Sequence, residues 1–143
     1  MTGRGRLLRA GYILLVGVFM IVFWAGLALT GGIPELDTAP VEIGYHLVAE
    51  LLTASALVAA GLGILRGYEW GSRLYPVALG LLLYTVINSA GYYAALGNVP
   101  MVGMFSVLTV ATLFLLVDYV RGSDVGPERA GGRPESSSGR LAD

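Results

Sequence analysis

The amino-acid sequence predicts an all-α integral membrane protein: a bundle of four antiparallel helices with both termini cytoplasmic. Three observations carry that expectation. Of 143 residues, 55% are hydrophobic and 13% charged, against roughly 25% charged residues in soluble domains. The apolar residues fall into four long blocks separated by short polar breaks. All nine basic residues are arginines, confined to segments 1–9, 66–73 and 121–143.

The first block, residues 10–30, carries no charge. About 20 residues at 1.5 Å each cross the ~30 Å hydrocarbon core, so this is span 1. The run exceeds the ~7–15 residues of a signal-peptide core and is expected to be retained. Gly31, Gly32 and Pro34 end it. The acidic loop that follows holds Glu35 and Asp37. Pro40 opens span 2, 41–65, with Glu42 in its first turn, a favourable charge at a helix start. Span 3, 74–96, is expected to hold Pro76 in its first turn, where a missing N–H is tolerated. Gly97-Asn98 turns the chain into span 4, 99–120. These spans form one transmembrane domain, 1–120. Residues 121–143, rich in Gly, Ser, Pro and charge, lack apolar groups to bury and are expected to be a disordered cytoplasmic tail.

Orientation follows from the arginines. Short loops that carry them stay cytoplasmic, and the loops at 31–40 and 97–98 carry none. Four spans put both termini on one side, so charge and parity agree. The expected location is the plasma membrane. Tyr12, Tyr68, Trp70, Tyr75 and Tyr119 then fall near the inner ends, as an interfacial aromatic belt.

Composition also excludes chemistry. Cysteine is absent, so disulfides and thiolate sites are ruled out. Lysine is absent, which removes Schiff-base catalysis. The net charge of −1 gives nucleic acid no basic face. One histidine cannot supply both axial ligands of a bis-histidine haem, so no haem is expected.

The candidate site is built on span 2. Glu42, His46 and Glu50 lie at i, i+4 and i+8, on one helix face with about 6 Å between neighbours. Glu50 lies roughly 13 Å from the helix start, near the bilayer middle. Span 3 runs the other way and carries Asn88, Ser89 and Tyr92; Asn88 reaches the depth of Glu50. Ser106 and Thr109 of span 4 lie at a similar depth, and Trp24 and Tyr45 could line the same space. The pattern predicts an outer-half polar pocket binding or moving a small solute, a cation or a proton. Glu50, His46, Asn88, Tyr92, Ser106 and Glu42 are the candidate binding residues. Glu50 and His46 are the candidate ligands of a divalent metal, though the H-E-x-x-H pattern is missing. A proton relay through Glu50 and His46 has no visible continuation on the cytoplasmic side. Two further readings stay open. In one, the polar groups only clamp helices in an assembly subunit; in the other, His46 and Glu50 act as acid and base on a lipid-like substrate. Ser55, Ala59 and Gly63 form a small-residue stripe suited to homo-oligomer contact.

Overall fold

The computed structural model describes residues 3–33 and 35–123, and the described part is helical throughout apart from short turns. Four long helices dominate: α1 (Gly3–Thr30), α3 (Pro40–Leu65), α4 (Glu69–Ala95) and α5 (Val99–Ser123). A single short turn of helix, α2 (Glu35–Thr38), lies in the acidic loop. Each long helix is long and apolar enough to cross a membrane. The tail expected from 121 onward lies outside the described residues from 124; residues 121–123 continue α5.

Successive long helices pack in order, α1 on α3, α3 on α4 and α4 on α5. Two glycine turns set this up. Gly67 and Gly97 have φ of 75° and 68°, a left-handed conformation that side chains with a Cβ avoid. In the first turn the Tyr68 N–H donates to the Gly63 carbonyl at 2.9 Å and the Gly67 N–H to Ile64 at 3.1 Å. In the second, Asn98 donates to Tyr93 at 2.9 Å and Gly97 to Ala94 at 3.0 Å. These paired bonds satisfy the carbonyls that a helix end otherwise strands.

The core is a strip of Ile13, Leu57, Ala60, Ala78, Leu79 and Leu82, where α1, α3 and α4 meet. Small residues bring the backbones together. Gly17 of α1 lies against Leu57 and the Ala54 carbonyl, and Gly61 of α3 lies beneath Leu14. The tightest approach joins α3 to α4: a Cβ built on Gly71 would lie 2.5 Å from the carbonyl carbon of Gly63. Gly63 is therefore committed within the chain. The expected oligomer stripe loses that member, while Ser55 stays exposed. Much of the exterior is apolar, including Leu15, Leu29, Val107 and Phe114, as a surface solvated by hydrocarbon would be.

Two expectations about the arginine-bearing end are corrected. Helix α4 begins at Glu69 rather than near Leu74. Exposed Glu69 and Arg73 pair one turn apart at 3.4 Å, so the polar segment is itself helical. Pro76 then lies beyond the first turn, where it cannot donate to the Ser72 carbonyl four residues back. The Tyr119 hydroxyl of α5 donates to that carbonyl at 3.2 Å. This exposed bond gives the carbonyl freed by the proline a partner and ties α5 to the start of α4. The aromatic belt is also only partly a belt. Tyr68 and Trp70 are half exposed and stacked, but Tyr75 is 1% exposed and belongs to the core. At this end α1 meets α5 through side chains: Arg9 pairs with Asp118, and the Tyr12 and Thr112 hydroxyls are 2.9 Å apart.

Candidate functional site

At the opposite end, where α3 and α5 begin, the four long helices enclose a partly open cavity of about 1080 Å³. Helix α3 supplies Glu42, His46 and Glu50 to it, in descending order from the helix start. Their i, i+4, i+8 spacing puts all three on one face. Helix α4 adds Asn88, Ser89 and Tyr92. Loop residues Gly32 and Ile33 close part of the rim.

Glu50 is 6% exposed and is the one buried acidic or basic residue among the described residues. Its Oε2 accepts a long hydrogen bond, 3.4 Å, from the indole N–H of Trp24 on α1. Its Oε1 has no hydrogen-bond partner among the described residues. His46 Nε2 lies 3.9 Å from that oxygen, beyond hydrogen-bond reach. The imidazole instead packs edge-on to Trp24, with ring centroids 5.6 Å apart. Trp24 thus touches both polar groups and fixes them from a neighbouring helix.

The sequence-derived residues separate into two sets. Glu50, His46, Asn88, Tyr92 and Glu42 line one cavity. Asn88 does so without a hydrogen bond to Glu50, so the two face a common space and are not clamped together. Ser106 is not part of it. It points to a shallow apolar groove beside Tyr12 and Phe114, and its hydroxyl donates to the Val102 carbonyl at 2.8 Å. Thr109 likewise donates to Phe105 of its own helix, and Tyr45 is exposed.

Metal chemistry finds two donors together and no third. Among the described residues no three His, Cys, Asp or Glu side chains come close enough to hold an ion. Zinc ordinarily takes three or four protein ligands, so Glu50 and His46 do not complete a set.

The walls depart most from the expected polar pocket. Phe19, Phe23 and Trp24 face the cavity from α1, and Met101, Met104 and Phe105 from α5. Phe19 stacks on Phe23 at 5.9 Å, and Tyr93 stacks on Phe105 at 5.7 Å. The cavity is an aromatic and methionine chamber with one acid at its base. A signal for this existed: Phe19, Phe23 and Leu27 repeat the i, i+4, i+8 spacing of the span 2 polar residues. In an uncharged span, however, such a stripe reads equally as a lipid-facing surface.

No curated protein and no solved structure matches the chain. A family model described as a domain of unknown function (DUF8058) matches residues 5–126. The match takes in nearly all of the four long helices and every cavity-lining residue named above, and the chain belongs to this DUF8058 family.

Proposed function

We propose that this protein is a multi-pass plasma-membrane protein, a four-helix antiparallel bundle with both termini cytoplasmic, that binds or moves a small solute through the cavity at Glu50. The carrying observation is the buried acid with one oxygen free of hydrogen bonds among the described residues, at the base of a chamber shared by four helices. A carboxyl group within a membrane span is costly and usually functional. Helix clamping would account for Glu50 if both oxygens were engaged by neighbouring helices. Among the described residues Trp24 is the one hydrogen-bond partner from another helix, through one oxygen. The buried threonines Thr53 and Thr85 do behave as structural groups, donating to carbonyls of their own helices. The chamber size also supports a ligand, since small-molecule sites commonly enclose about 300–1,000 Å³.

The test is native mass spectrometry on the full chain extracted from its membrane. A small-molecule adduct of constant mass is expected on the parent. Glu50→Gln, which keeps the shape and an acceptor for Trp24, should lose the adduct while its thermal midpoint stays close to that of the parent. An adduct-free parent together with a strongly destabilised Glu50→Gln would establish the acid as a helix clamp. Orientation is checked separately. An alkaline phosphatase fused within the 97–98 turn should be active, and one fused after residue 143 inactive. The reverse pattern refutes the assigned topology.

A further inference from the structure

We infer that the solute is an organic cation: an amine, quaternary ammonium or phosphonium carrying an apolar or aromatic body. This rests on the solute-binding reading above and names its ligand class. Charge comes first. The acidic and imidazole groups lining the cavity are Glu42 at the rim, Glu50 at the base and His46 between them, and no arginine is among the lining residues. An anion would meet two carboxylates and no fixed positive partner. A cation meets an attractive group on entering and a second one at the end of its path. An ionised carboxylate removed from water is tolerated when a partner charge accompanies it. The Oε1 of Glu50 has no hydrogen-bond partner among the described residues, and the nearest basic group, His46 Nε2 at 3.9 Å, carries charge only when protonated; a cationic ligand supplies a permanent charge.

The walls decide between an inorganic and an organic cation. A metal ion needs several oxygen or nitrogen ligands, and two donors converge here. Beside the polar groups of Asn88 and Ser89, most of the remaining surface is aromatic rings, thioethers and aliphatic side chains, which solvate an apolar body. Rings also attract cations directly through their π faces, the usual means of holding quaternary ammonium groups. Trp24, Tyr92, Tyr93 and Phe105 present that chemistry around the space above Glu50. Met101 and Met104 add flexible contacts that suit bodies of differing shape. A neutral lipophile would use these walls but leave the buried acid without a role. A sugar or amino acid would use the acid but leave most of its polar groups facing rings.

The experiment uses two ions of matched shape and opposite charge, tetraphenylphosphonium and tetraphenylborate. The full chain carrying Trp70→Phe is reconstituted in lipid vesicles that hold no other protein, so that tryptophan emission reports Trp24 alone. The phosphonium ion should change Trp24 emission saturably and bind at least roughly tenfold more tightly than the borate, a gap of about 1.4 kcal/mol. Glu50→Gln should erase that preference. Phe105→Leu and Tyr92→Leu leave the acid in place and guard against misfolding of the first variant. Each should weaken the phosphonium by about 2–30-fold, and the borate by less. Equal binding of the two ions, or an unchanged preference in Glu50→Gln, overturns the cation assignment while saturable binding sustains the solute site. Absence of saturable binding of either ion to a folded parent, together with an adduct-free parent in mass spectrometry, overturns both.

Discussion

Gly71→Ala is expected to destabilise the protein by about 1–3 kcal/mol, the usual penalty for forcing an extra methyl into a filled contact. The added Cβ would meet the Gly63 carbonyl carbon at 2.5 Å and the Ile64 amide nitrogen at 2.6 Å. Both are backbone atoms, so no rotamer change relieves the clash, and α3 and α4 must move apart. The same helix supplies its own control. Gly80 has nothing within 4 Å of the position its Cβ would take. Gly80→Ala should therefore show only the helix-propensity gain, about 0.5–1 kcal/mol in the stabilising direction. Thermal unfolding of both variants in one detergent checks the pair. A Gly71→Ala protein as stable as Gly80→Ala would mean that the α3–α4 approach is looser than described.

The second large effect is a coupling between Trp24 and Glu50. Glu50→Leu should destabilise by about 1–3 kcal/mol because the half-buried indole N–H loses its acceptor. Trp24→Phe should do the same by removing the one donor that Glu50 has among the described residues. The double variant Trp24→Phe/Glu50→Leu removes both polar groups together. Replacing both partners of a buried polar pair by apolar groups is often neutral or stabilising. The double variant is therefore expected to match or exceed the parent in unfolding temperature. The coupling energy should lie near 0.5–3 kcal/mol, with solute binding abolished. That outcome is the signature of an acid kept for its activity at the expense of stability. If the two losses simply add, Glu50 has structural partners beyond Trp24 and the clamp explanation gains.

The helices were legible because charge is so unevenly spread: uncharged blocks and arginine clusters are strong signals in a lipid-solvated chain. Their ends were less so. The segment 66–73 reads as a polar turn, yet an exposed Glu69–Arg73 pair is as compatible with a first helical turn as with a loop. For the site, the sequence conveyed depth but not direction. Helix rise puts Asn88 and Glu50 at one level, and both reach the cavity. It puts Ser106 at that level too, but each residue turns the helix by about 100°. The adjacent Phe105 faces the chamber and Ser106 faces away. Trp24 shows the same limit. Its possible place in the pocket was visible, but its bond to Glu50 depends on how α1 rolls against α3. Small residues such as Gly17 and Gly61 decide that roll, and periodicity does not express it.

The glycine contact at Gly63 and Gly71 also has a mechanical meaning. It joins α3 and α4 beside the 66–68 turn, at the end remote from the cavity. Two stiff rods riveted at one end concentrate their compliance at the other. A small rocking about this joint would be magnified along the roughly four to five helical turns that separate it from Glu50 and Asn88. Any widening of the chamber would be taken up by repacking of Leu57, Ala60, Leu79 and Leu82, the core residues between this joint and the cavity, with no helix bent. Ligands of unequal girth would be accommodated by the angle between α3 and α4, with the riveted end serving as the fixed reference from which that angle opens.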